Sequence, residues 1–138
     1  AIAAANALVL VARPTPAGSY RTAVAYLAVT EQLSGPYRVD PSRVRVVLNR
    51  VRGAHTLSPE AWRAQAARVT QDGFPRVAAT IPDLPRVLEL QGKRLFPAER
   101  ESRFREGLEP LADSLFGKAK NGRGYQEKKL FGFFKVRW

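Results

Sequence analysis

RVRVVLNRVRGAHTLSPEAWRAQAARVTQDGFPRVAATIPD, residues Arg43–Asp83, holds two short runs of strand-forming residues separated by one helical pattern. The run from Arg43 to Leu48 carries Val44, Val46 and Val47 after a turn signal at Asp40 and Pro41, so it predicts a strand that ends at Asn49 and Arg50. Ser58 and Pro59 then supply an N-cap and a first helical position for a helix that reaches about Gln71, with Gly73 as its stop. Trp62, Ala66 and Val69 fall on the apolar side of that helix. A further strand, Arg76–Ile81, closes on Pro82 and Asp83. Strands joined through a crossover helix pair in parallel, so this segment predicts a parallel sheet.

The pattern continues in both directions. Towards the N-terminus, Leu8–Ala12 is a continuous apolar run closed by Arg13, Pro14, Thr15 and Pro16, as in a strand covered on both faces. A helix is expected within Ser19–Leu33, capped by Ser19 and stopped by Ser34, Gly35 and Pro36, with Tyr20, Val24 and Leu27 near one face and Leu33 close to it. Towards the C-terminus come a short helix at Pro85–Leu90, a loop from Gln91 to Pro97, and a helix from Ala98 to Phe116 carrying Phe104, Leu108, Leu111 and Leu115. The expected fold is therefore α/β, a parallel sheet with helices on both faces, over residues 1–117. Residues 118–125 read as a basic linker and 126–138 as an amphipathic, basic and aromatic tail. Functional loops are expected at the C-terminal ends of the strands.

The bulk properties narrow the chemistry. The chain has 138 residues, 45% of them hydrophobic and 25% charged, which suits one folded domain. There is no cysteine and one histidine, His55, so disulfides, thiolate metal sites and histidine-based acid/base pairs are not expected. With 23 Lys and Arg against 12 Asp and Glu, the formal charge is +11, which points to polyanionic partners, either nucleic acid or anionic lipid. The sequence contains no methionine and opens directly into the apolar run AIAAANALVLVA, as expected of a fragment whose first residues form a buried element. That run is shorter than the roughly 20 residues that span a bilayer and lacks a basic leader.

Several positions stand out. Gly92-Lys93 and Gly117-Lys118 resemble the end of a phosphate-binding P-loop, but Val87 and Ala112 occupy the position that needs Gly, and Arg94 and Ala119 the one that needs Ser or Thr. Asn49 either meets a ligand at the strand end or caps an ordinary turn, and Ile81-Pro82-Asp83 either faces a flat ring or simply turns the chain. Arg86, Lys93 and Arg94 form a basic cluster suited to phosphate contacts or to a solvated surface. In the tail QEKKLFGFFKVRW, helical winding puts Leu130, Phe131, Phe133, Phe134 and Trp138 on one arc and Lys128, Lys129 and Lys135 largely opposite. Such a helix suits a membrane interface; a helix packed on the core, an extension, or an aromatic groove for nucleic acid are the alternatives.

The order of these pieces resembles the C-terminal half of ParA/MinD-type P-loop ATPases across nearly the whole chain. ALVLVARPTP is similar to the strand after that family's second nucleotide motif, VVLNR to its next strand, IPDLPRV to its Ile-Pro turn, and EKKLFGFFK to the membrane-targeting helix that closes MinD proteins. The resemblance implies base-side nucleotide contacts at Asn49, Pro82 and Asp83, and a DNA-facing basic residue at Arg86 with Lys93 and Arg94 beside it. It implies ATP and magnesium as cofactors only together with an N-terminal half that bears the P-loop, and assigns no catalytic residue here. The implied protein is a cytoplasmic homodimer with an activating partner protein. It would position or segregate cargo at an anionic membrane, bound through Lys128–Lys135 and Trp138, or on nucleoid or plasmid DNA. A non-catalytic basic module that binds an acidic protein is the remaining alternative.

Overall fold

The computed structural model describes residues 6–53, 56–71, 73–93 and 95–117. Three strands, β1 (Leu8–Ala12), β2 (Val44–Val51) and β3 (Val77–Pro82), pair in parallel in the order β1-β2-β3. Helix α1 (Pro16–Leu27) links the first two and α2 (Pro59–Thr70) the last two. After β3 come α3 (Pro85–Gly92), the single turn α4 (Pro97–Arg100) and α5 (Ser102–Phe116).

Helices cover both faces, as the alternation of elements predicts. On one side Ala23 and Tyr26 of α1 and Trp62 and Ala66 of α2 pack with Ala12, Val44, Val46 and Leu48. Successive crossovers that move across a sheet in one direction with one hand put their helices on the same face. Phe74, just before β3, completes this core with its ring edge-on to Tyr26 at 5.3 Å and tilted against Trp62 at 5.8 Å. On the other side Phe104, Leu108 and Leu111 of α5 cover Val9, Val47, Ala79 and Ile81. Gly107 lets α5 sit close, since a Cβ there would stand 2.9 Å from the carbonyl oxygen of Thr80.

The β2–β3 register contains two compensating irregularities. Val46 pairs with Val77 but Val47 with Ala79, leaving Ala78 as an extra residue on β3; Asn49 pairs with Ile81 but Val51 with Pro82, leaving Arg50 as an extra residue on β2. Each bulge switches the face on which the chain places its side chains. Val77 packs on the α1/α2 side and Ala79 on the α5 side, while Val51 falls on the α1/α2 side although Val47 lies on the other.

Several expected boundaries move. α1 starts at Pro16 with Thr15 as N-cap, its hydroxyl oxygen accepting from Gly18 N–H, and not at Ser19. Ser19 lies buried inside the helix, its hydroxyl donating to the Pro16 carbonyl at 2.7 Å and lying 3.2 Å from the side-chain amide of Gln65. The buried face of α1 is Ser19, Thr22, Ala23 and Tyr26, whereas Tyr20 and Val24 are exposed. Close approach of α1 to α2 selects small side chains there, and the hydroxyls bond within the helix, as Thr22 does to the Gly18 carbonyl. α1 then widens into a π-helical turn, Ala28–Gln32. β2 runs on through Asn49 to Val51, β3 includes Pro82, and Gln71, not Gly73, makes the left-handed stop of α2 at φ 50°. The long last helix is divided by Glu101, whose extended backbone ends α4 and whose carboxylate caps α5 through Arg103 N–H.

Candidate functional site

The C-terminal ends of the three strands meet along one edge of the sheet, where open parallel sheets hold their ligands. β1 gives way to Arg13, Pro14 and Thr15 before α1; β2 ends at the Arg50 bulge, Val51 and Arg52; β3 ends at Pro82 and Asp83. The loops are tied to one another. Leu57 N–H donates to the Pro14 carbonyl at 3.0 Å and Asp83 N–H to the Val51 carbonyl at 3.1 Å. The indole of Trp62 reaches the Arg13 carbonyl from α2.

These ties leave an open crevice of about 210 Å³ lined by Arg13, Pro14, Thr15, Arg50, Arg52 and Thr56. Arg50 Nε donates to Asp83 Oδ1 at 3.1 Å, and Arg52 Nε donates to Asp83 Oδ2. The guanidinium of Arg52, and then that of Arg50, holds the Asp83 carboxyl below the usual carboxylate range. Arg50 achieves this from a left-handed backbone, φ 63°, rare for a residue with a side chain and matched to its place as the extra residue of the bulge.

Asn49, Pro82 and Asp83 come together at this edge. Asn49 is half-buried opposite Ile81, and Pro82 sits opposite Val51, one step from Asp83. Arg86 and Lys93 are exposed, the first in the opening turn of α3 and the second just past its end, two turns apart and so along one side. Arg94 lies outside the described residues, as do Lys128, Lys129, Leu130, Phe131, Phe133, Phe134, Lys135 and Trp138. Arg13, Arg50 and Arg52 carry the charge of the crevice, and sequence reading took the first two only as strand ends. The available signal was arginine at the C-terminal ends of two adjacent parallel strands.

Among the described residues, no three His, Asp or Glu side chains cluster as metal ligands, and no helix is long and apolar enough to cross a membrane. Comparison with protein-family models, curated proteins and solved structures finds no match to this chain.

Proposed function

We propose that this chain is the C-terminal half of a ParA/MinD-type ATPase domain, and that the edge formed by β2 and β3 is the wall against which the base of ATP lies. The observation that carries this is the meeting of Asn49, Pro82 and Asp83 at the C-terminal edge of two adjacent parallel strands. An Asn amide offers a donor and an acceptor together, as the edge of adenine requires, and the Pro82 ring offers a flat apolar surface. Asp83 is engaged by Arg50 and Arg52, so its role is to hold those two residues at the rim. ATP and magnesium would be held at the phosphates by a P-loop-bearing N-terminal half, since no P-loop occurs in residues 1–138. ATP-driven closure of a homodimer then doubles the surface contacts, raising avidity for an anionic membrane through residues 126–138, and hydrolysis stimulated by a partner protein releases it.

DNA is the second reading of the anionic surface, favoured by the exposure of Arg86 and Lys93 along one side of α3. Intact-mass measurement of the native polypeptide, followed by ATP titration of that polypeptide and its Asn49→Ala variant, tests the proposal. A P-loop-bearing chain whose ATP affinity falls about tenfold on losing the Asn49 amide is the expected result. Unchanged affinity in the variant overturns the assignment of the base-side wall.

A further inference from the structure

We propose that the crevice between the β1–α1 and β2–α2 loops is a binding site for a dianionic phosphate group, held by the guanidinium groups of Arg13, Arg50 and Arg52. The inference stands on the charge and geometry of the crevice and does not depend on adenine binding at Asn49.

Arg13, Arg50 and Arg52 line about 210 Å³ of open space, and Arg50 and Arg52 meet one carboxylate there, that of Asp83. Asp83 is shared by Arg50 and Arg52, while Arg13 has no carboxylate partner among the described residues. Asp83 opposes an incoming anion, yet one negative charge among three positive ones leaves a formal excess of two, matching a phosphate monoester. The positive charge that Asp83 leaves unbalanced is self-repelling, so a second anion relieves the cluster.

The donors left over have the right form. Arg50 and Arg52 each spend Nε on Asp83, and their terminal nitrogens make no hydrogen bond among the described residues. A guanidinium has five N–H donors in a planar fork that suits phosphate oxygens in pairs. The shared carboxylate therefore fixes both forks at the crevice wall and leaves their outer edges available. The bulge at Arg50, with its left-handed backbone, is a local cost of the kind found at ligand clamps.

The start of α1 adds little. Thr15 Oγ1 already accepts from Gly18 N–H, the Thr15 carbonyl accepts from Ser19 N–H, and Pro16 has no N–H to give. The arginines carry the site. Its volume is below the roughly 300 Å³ of the smallest drug-like pockets, so it suits the phosphate of a larger molecule whose remainder lies outside.

Titration of the full chain with inorganic phosphate, AMP and adenosine, followed by the backbone amide signals of Arg13, Ala17, Arg50 and Arg52, tests the site. Phosphate and AMP should produce saturable shifts at Arg13, Ala17 and Arg52 and adenosine none at those three amides, identifying the phosphate as the part this crevice recognises. Arg13→Gln and Arg52→Gln should each weaken phosphate binding about tenfold, with Arg13→Lys in between because it keeps charge and loses the fork. The Arg13 side chain makes no hydrogen bond or ion pair among the described residues, so its variants should change binding more than stability. Absence of saturable shifts with phosphate, or an Arg13→Gln variant that binds phosphate as tightly as the parent, overturns the proposal. Asn49→Ala should leave phosphate binding intact, so a failure of the adenine wall and a failure of this site are read in different variants.

Discussion

Trp62 donates its indole N–H to the backbone carbonyl of Arg13 at 2.9 Å, joining the first turn of α2 to the end of β1. The Arg13 carbonyl also accepts from Thr15 N–H at 2.9 Å, and a Cβ on Gly18 would stand 2.2 Å from the same oxygen. One carbonyl is thus held by a core side chain, by its own turn and by the bare α-carbon of the next helix. The position of Arg13 at the crevice is therefore set by the hydrophobic core on one side of the sheet.

Trp62→Phe keeps an aromatic ring in the fully buried site but loses the indole N–H and some volume. The cost should be about 2 kcal/mol, combining one hydrogen bond and a small cavity, measurable by urea unfolding. Because Thr15 N–H still reaches the Arg13 carbonyl, the variant should fold.

Two glycine substitutions should act with opposite signs. Gly107→Ala drives a methyl group against the Thr80 carbonyl and the Ile81 α-carbon, pushing α5 off β3 at a cost of about 1–3 kcal/mol. Gly92→Ala, at the end of α3 with nothing within 4 Å of the added carbon, should stabilise by about 0.5 kcal/mol. Melting both variants beside the parent chain reads the difference.

The arginine–carboxylate triad sets an acid limit. The Asp83 carboxyl is depressed by Arg52 and then Arg50, so its stabilising contribution is complete above its unfolded value near 3.9 and disappears as pH falls through the lower folded value. Tyr26 works in reverse: burial, and then Glu31, raises its hydroxyl, so its contribution is complete below about pH 10 and is lost as pH rises further. Thermal midpoints should fall less steeply towards acid pH in Asp83→Asn and less steeply towards alkaline pH in Tyr26→Phe than in the parent chain.

For the proposed membrane anchor, Phe131→Glu or Phe134→Glu should abolish sedimentation with anionic liposomes and leave DNA retardation as it is. Unchanged sedimentation removes the tail from the account.

For the DNA reading, Arg86→Ala combined with Lys93→Ala should weaken binding equally across sequences and flatten its dependence on salt by about two in log–log slope. An unaltered slope places both residues outside that interface.

The parallel sheet was legible because β2 and α2 obey strong local rules: Val44, Val46 and Val47 favour strand, and Ser58 with Pro59 opens the helix it should open. α1 was misread because apolarity and burial part company there. Tyr20 and Val24 face outward while Ser19, Thr22 and Ala23 face α2, where size decides and hydroxyls find partners within the helix. Asn49, Pro82 and Asp83 were visible as strand ends, but the arginine crevice was not. Arg13 and Arg50 line one crevice because Ala12 aligns with Leu48, and Arg52 turns towards Asp83 just past the bulge at Arg50, facts of register that a linear pattern does not carry.

The paired bulges also govern which changes of chain length the sheet accepts. Between Val46↔Val77 and Val51↔Pro82 each strand advances five residues, but Ala78 is spent early on β3 and Arg50 late on β2. Deleting Arg50 alone would make Asn49↔Ile81 and Val51↔Pro82 consecutive pairs and keep Val51 on the α1/α2 side, while removing one of the two arginines that hold Asp83. Deleting Ala78 alone would likewise make Val77 and Ala79 consecutive, each on the face it already occupies. Each extra residue can therefore be lost by itself without moving its neighbours to the other face, and homologous chains should vary in length at the two positions independently.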